Sequence, residues 1–108
     1  MKGIHLRFYT YENRKHGTTL MYEWLLEFAK ARGIHGGSAF RAIAGFGRQG
    51  RMHEQHFFEL AGDTPVLVEF IADASQADAL LAALRAEEVG LFCARLEADF
   101  EELGPPPT

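Results

Sequence analysis

Cysteine, long apolar runs and positive charge are scarce in this chain of 108 residues, and each scarcity excludes a class of protein. Cys93 is the single cysteine, so no intramolecular disulfide can form, which fits a reducing compartment. No segment approaches the roughly 20 apolar residues of a membrane-spanning helix, and the start, MKGIHLRFY, lacks the apolar run of a signal peptide. The net charge of -4 argues against general nucleic-acid binding, which needs a basic surface. We therefore expect a cytoplasmic protein.

The composition is that of one small globular domain. Apolar residues make up 47% of the chain and charged residues 24%, enough for a modest single core with an ordinary polar surface. We expect residues 1–102 to form this domain. Residues 103–108, LGPPPT, contain three prolines and predict a disordered Pro-rich tail.

Apolar periodicity predicts six secondary-structure elements. Apolar and polar residues alternate, as in half-buried strands, over residues 3–11, 36–47, 64–72 and 91–100. Two further segments have helical spacing. The first has Thr18 or Thr19 as its cap and ends at Gly33; the second has Asp73 or Ser75 as its cap and stops by Gly90. The order β-α-β-β-α-β predicts an α+β, ferredoxin-like sandwich, with a four-stranded antiparallel sheet and two helices on one face.

The second face of such a sheet is left without helices. The alternation groups Phe40 with Phe46, and Phe92 with Leu96, on the helix-covered side. We then expect the open face to mix apolar and charged side chains: His5, Arg7, Tyr9, Arg41, Ile43, Leu67, Glu69, Ile71, Cys93 and Arg95. A semi-polar patch of this kind suggests self-association, because the chain is short and its one-sided core is small. A face that simply tolerates a few exposed apolar residues is the alternative.

A glycine string occupies residues 45–50, where GFGRQG matches G-x-G-x-x-G. In dinucleotide-binding folds this string follows a strand and opens a helix whose N-terminus meets the phosphate. Here the residues that follow, RQGRMHEQHFFELAGDTP, show no apolar stripe at helical spacing. The string therefore predicts a hairpin connection in which glycine supplies positive φ angles.

The same segment is locally basic in an acidic chain. Between Arg41 and His56 there are three arginines and one glutamate. Glycine amides flanked by arginines can form an anion site, here built from Gly45, Gly47, Arg48, Arg51 and His53. A solvated arginine-rich loop explains the local pattern equally well.

Histidines offer a second interpretation of this region. His53 and His56 are spaced H-x-x-H and could bind a divalent ion on a helix, but no cysteine lies nearby, and polar loop residues are the simpler explanation. His16 lies in the loop ENRKHG with Glu12 and Arg14, where it could contact a ligand or belong to a polar turn.

The sequence contains no visible set of nucleophile, base and orienting residue. Cys93 falls in a predicted strand, and neither Ser38 nor Ser75 has a neighbouring histidine. We therefore expect a protein that is not an enzyme.

Several strings together resemble a known family. GIHGGSAFRAIAGFG, followed by an arginine and MH, then DTPVLVEFIAD, resembles the family called domain of unknown function 190 (DUF190), in the PII-like superfamily. The opening LRFYTYENRKHGTTLMYEWLLEFAKARG fits the same family, with Met21-Tyr22-Glu23 in place of its LYE. The resemblance extends from about Lys2 to Phe100.

The resemblance implies a trimer of ferredoxin-like chains that acts in signalling or regulation. Small effectors, often adenine nucleotides such as ATP, ADP or AMP, bind PII-like proteins in clefts between subunits. The connection between the second and third strands, here residues 46–63, reaches partner transporters, channels or enzymes. The effector-binding residues expected here are Gly45, Gly47, Arg48, Arg51, His53, Glu12, Arg14 and His16.

One departure bears on the ligand. Glu87 and Glu88 stand where nucleotide-binding PII proteins have a glycine-rich loop with a lysine, and adjacent carboxylates repel phosphate. The alternative is a metal-binding protein similar to the PII-like divalent-cation tolerance proteins. His53, His56 and His16 would then be the ligands.

Overall fold

A computed structural model describes residues 1–46, 64–105 and the backbone of residues 52–54. In chain order these residues form the following elements: β1 Lys2–Tyr11, β2 Lys15–His16, β3 Thr19–Leu20, α1 Met21–Ala31, β4 Gly37–Arg41, β5 Ala44–Phe46, β6 Met52–Glu54, β7 Pro65–Ala72, α2 Ala74–Ala86 and β8 Phe92–Asp99. No helix among these residues is long and apolar enough to cross a membrane.

Four strands form the main sheet, in the order β4-β7-β1-β8. Every neighbouring pair in this sheet is antiparallel. Alternate residues of the central strands, such as Leu6, Phe8 and Val68, are fully buried. They pack against Leu25 of α1 and Leu80 of α2, so both helices lie on the same face. The predicted α+β ferredoxin-like sandwich is therefore confirmed.

The helix ends agree in part with the sequence prediction. Of the two predicted caps of α2, Asp73 is the cap: its Oδ1 accepts a hydrogen bond from the Gln76 amide at 2.7 Å, and the Gln76 side chain completes the capping box. Gly33 follows α1 with a φ of 85°, as a helix-terminating glycine does. The predicted threonine cap of α1 is wrong, because Thr19 lies in β3 and Leu20 is the N-cap residue.

The predicted second strand, residues 36–47, is divided in the structure. β4 ends at Arg41, and the Ala42 amide then donates a hydrogen bond to the Pro65 carbonyl at 2.9 Å. β5 leaves the main sheet and pairs with β6 in a separate two-stranded sheet. The uninterrupted strand was wrong because apolar alternation continues through Ala42 and carries no signal for a change of hydrogen-bonding partner.

The faces of both edge strands are the reverse of the sequence prediction. Phe40 pairs with Leu67, and Phe92 pairs with Tyr9, so both phenylalanines lie on the open face. Arg41 and Cys93 are on the helix-covered side.

The cause in β4 is close packing at Gly37. A Cβ atom there would lie 2.4 Å from Cε1 of Phe70 and 3.2 Å from Cδ2 of Leu26. Only glycine fits facing the helices at this point, and this fixes Phe40, three positions later, on the opposite face.

In β8 the helix-facing residues lie at the sheet edge, where a long polar side chain can reach solvent. Arg95 therefore lies on the helix-covered side and donates a hydrogen bond to Asp78 of α2 at 2.6 Å. Residues 101–105 belong to no helix or strand, and residues 106–108 lie outside the described residues. The disordered tail therefore stays a prediction.

Candidate functional site

The loop between β1 and α1 is a small ordered structure that holds three of the predicted binding residues. The Arg14 amide donates to the Tyr11 carbonyl at 3.1 Å, and the Met21 amide donates to the Arg14 carbonyl at 2.7 Å. Between these bonds, β2 and β3 form a hairpin that turns at Gly17, whose φ is 64°. The positions of Glu12, Arg14 and His16 are therefore set by backbone hydrogen bonds.

Glu12 forms an ion pair with Arg41, the last residue of β4. The Glu12 amide also donates to the Thr64 carbonyl at 2.8 Å. Sequence analysis assigned Arg41 to the open face and did not connect it to Glu12. Glu12 and Arg41 come together because β1 and β4 pair with β7 on its two sides and both end at the same end of that strand.

Arg14 points toward the loop between α2 and β8. Its Nη2 atom lies 3.8 Å from the position that a Cβ atom would take at Gly90. This loop is the segment with Glu87 and Glu88, and Glu88 has a φ of 56°, which is unusual for a residue other than glycine. The loop lacks a lysine of its own, and the guanidinium of Arg14 brings positive charge to it.

His16 is stacked on the only tryptophan of the chain. The ring centroids of His16 and Trp24 are 4.1 Å apart, and those of Trp24 and Phe28 are 4.6 Å apart. The guanidinium carbon of Arg32 lies 3.4 Å from the Phe28 ring centroid, which completes a column of four side chains along α1. This contact attaches the β2–β3 hairpin to the helix.

The glycine string is only partly described by the structure. Gly45 of β5 is the register partner of His53 in β6, and a Cβ atom at Gly45 would meet no atom within 4 Å. Packing within the described residues therefore does not require a glycine at this position. Gly47, Arg48, Arg51 and His56 lie outside the described residues, as does the side chain of His53.

The open face of the sheet has a polar centre within apolar surroundings. His5 and Glu69 are paired at 2.9 Å across neighbouring strands. The Arg7 guanidinium lies 5.8 Å from the Tyr9 ring centroid, and its Nε atom is buried without a hydrogen-bond partner in the described part of the chain. Large apolar side chains with 40% to 59% of their surface exposed surround this centre: Tyr9, Phe40, Ile71, Phe92 and Leu96.

Sequence analysis identified part of this face. It anticipated His5, Arg7, Tyr9, Leu67, Glu69 and Ile71 and missed Phe40, Phe92 and Leu96, because the two edge strands were assigned the wrong faces. In the correct assignment the face is more apolar than expected.

Two other chemical possibilities concern metal binding and the cysteine. Within the described ranges, no group of three or more His, Cys, Asp or Glu side chains is arranged to hold a metal ion. Burial raises the pKa of the Cys93 thiol, against the opposing effect of the Arg85 and Arg95 charges. The thiol is therefore protonated at neutral pH, where it is a weak nucleophile.

The strand order and the two helices on one face define a ferredoxin-like domain. The sequence profile of the DUF190 family, described as "Uncharacterized ACR", matches residues 3–90. A UPF0166 protein of Aquifex aeolicus is 35% identical over 87 residues, which covers 81% of this chain and 83% of that protein. A second UPF0166 protein, MJ1524 of Methanocaldococcus jannaschii, is 32% identical over 71 residues, 66% of this chain and 65% of that protein. The chain belongs to the DUF190 family.

Solved structures show the same fold. CPII of Thiomonas intermedia, bound to ADP and bicarbonate, is similar with a TM-score of 0.64 and 15% identity, covering 91% of this chain and 87% of that chain. A Thermus thermophilus protein, proposed to be a PII-like signalling protein, has a TM-score of 0.61 and 14% identity, with coverages of 91% and 88%. At these identities the comparison supports the fold and does not assign a ligand to this chain.

Proposed function

We propose that this chain is a non-enzymatic PII-like regulatory protein that assembles as a trimer in the cytoplasm. A small anionic effector, an adenine nucleotide, binds in the clefts between its subunits. The effector regulates a partner protein, such as a transporter, channel or enzyme, through residues 46–63. The proposal draws on the family and on the ADP bound to the structurally similar CPII.

The observation that carries the proposal is the open sheet face. Its exposed apolar side chains surround a polar centre that includes the His5–Glu69 pair. Contiguous apolar surface of this kind is typical of interfaces, and the polar centre gives the contact a preferred orientation. Covering this face with other copies creates the subunit clefts that the effector requires.

The loops at one end of the sheet supply the charge for an anion. Arg14 lies against the α2–β8 loop, and Arg41 lies where β4 ends. Arg48 and Arg51 add two further cations to the segment that follows β5. Together these arginines offset the carboxylates of Glu87 and Glu88, and Gly45 lets the backbone approach the ligand.

Calorimetry with ATP, ADP, AMP and bicarbonate tests the effector. We expect one or more of the nucleotides to bind, and we expect the double variant Arg48→Gln with Arg51→Gln to lose at least about tenfold in affinity, because each lost guanidinium removes charge-assisted hydrogen bonds. Lys30→Gln is the control, since it removes an exposed cation from the last turn of α1. Absence of heat with all four compounds would show that the effector assignment is wrong.

A further inference from the structure

The start of β7 is spanned by the ion pair between Glu12 and Arg41. Glu12 follows the last residue of β1, and Arg41 is the last residue of β4. β1 and β4 lie on opposite sides of β7. The Arg41–Glu12 contact therefore joins the two flanking strands at the point where the chain leaves each of them.

Backbone hydrogen bonds fix both ends of this contact. The Glu12 amide donates to the carbonyl of Thr64, a residue that is 2% exposed, and the Ala42 amide donates to the carbonyl of Pro65. The carbonyls of Thr64 and Pro65 thus hold Glu12 and the residue that follows Arg41. The contact between the Glu12 carboxylate and the Arg41 guanidinium is therefore positioned by the backbone at this end of the sheet.

The side chains themselves remain accessible. The Arg41 side chain is 61% exposed and that of Glu12 is 30% exposed. Nη2 of Arg41 donates to Oε1 of Glu12, which leaves most of the five N–H donors of the guanidinium available to a ligand. Because exposed ion pairs contribute little to stability, losing the pair with Glu12 costs little. A phosphate group can bind the guanidinium through paired, charge-assisted hydrogen bonds.

We propose that Arg41 is an anion-binding residue and that Glu12 competes with the anion for its guanidinium. The ligand class is a phosphate-bearing anion, and the inference rests on the proposed function in taking an adenine nucleotide as the natural form. Binding of the anion to Arg41 displaces the Glu12 carboxylate, so the side-chain contact between the β1–α1 loop and β4 is lost when the ligand is bound, while the backbone hydrogen bond of Glu12 to Thr64 remains. Ligand binding and the position of the Glu12 side chain are then linked, and each affects the other to the same extent.

Calorimetric titration of four variants and the wild type with ADP and with inorganic pyrophosphate tests the competition. Glu12→Gln keeps the shape of the side chain and removes its charge, so we expect binding to tighten about two- to fivefold, the range that the weak strength of exposed ion pairs implies. Glu27→Gln removes the same charge from α1 and should leave the affinity unchanged. Arg41→Gln should weaken binding about tenfold or more, and Arg41→Lys should give an intermediate value.

The outcomes separate this inference from the proposed function. Equal affinities for Glu12→Gln and Glu27→Gln, or an unchanged affinity for Arg41→Gln, would overturn the inference while nucleotide binding by the wild-type chain stands. Binding of pyrophosphate without ADP, with the expected order of variants, would support the inference and contradict the nucleotide assignment. Failure of both anions to bind the wild-type chain and Glu12→Gln would overturn both. Far-UV circular dichroism confirms that each variant is folded.

Discussion

Gly37 lies where β4 packs closely against the core, and its lack of a side chain allows this approach. A Cβ atom there would lie 2.4 Å and 2.6 Å from two atoms of the Phe70 ring, which is 2% exposed. We therefore expect Gly37→Ala to lower the free energy of unfolding by about 1–3 kcal/mol, as overpacking of a core does. Urea denaturation measures the change.

The neighbouring glycine provides the control for this prediction. A Cβ atom at Gly36 would meet no atom within 4 Å, so Gly36→Ala should leave stability unchanged or slightly raised. Equal losses in the two variants would contradict the packing argument. The sequence alone could not distinguish these two glycines, whereas Gly33 was recognisable because a glycine that follows a helical stripe has one common role.

At the scale of the element, α2 depends on a cap that sequence analysis narrowed to two candidates. Asp73 accepts the hydrogen bond from the Gln76 amide, and Ser75 lies exposed inside the first turn. Asp73→Ala should therefore lower the free energy of unfolding by about 1 kcal/mol. Ser75→Ala should be neutral or slightly stabilising, because alanine is the better helix former. Thermal and urea unfolding compare the two, and a larger loss for Ser75→Ala would contradict the assignment of the cap.

Most of the elements could be predicted because each has its own apolar period and its own end signal. The six main elements were found in the correct order, whereas the division of residues 36–47 was missed. That division arises because the chain changes its pairing partner from β7 to β6, where Ala44 pairs with Glu54. The Glu12–Arg41 pair was missed for the same reason, since it depends on the register of two strands against a third.

At the scale of the whole molecule, the open face supports the proposed assembly of several copies of the chain. The sequence suggested self-association from a mixed face, and the observed face is more apolar, with Phe40, Phe92 and Leu96 replacing Arg41, Cys93 and Arg95. This strengthens the argument for assembly, because Arg41 and Arg95, which would have added charge to the face, lie on the other side. The contact of Tyr9 with Phe92, at 5.6 Å between ring centroids, orients part of this surface before any partner binds.

A charge placed on this face should prevent assembly and leave the fold intact. Ile71 and Leu96 are 47% and 44% exposed, so glutamate at either position is tolerated in a single chain. In the proposed trimer the same carboxylate would be desolvated without a partner, which is costly. By light scattering after gel filtration we expect three times the 12.1 kDa chain mass for the wild type, and the single-chain mass for Ile71→Glu and Leu96→Glu.

The control is Leu103→Glu, which alters a residue that is 84% exposed beyond β8 and should remain trimeric. A monomeric wild type would contradict the trimer, and trimeric Ile71→Glu and Leu96→Glu variants would show that assembly uses another surface.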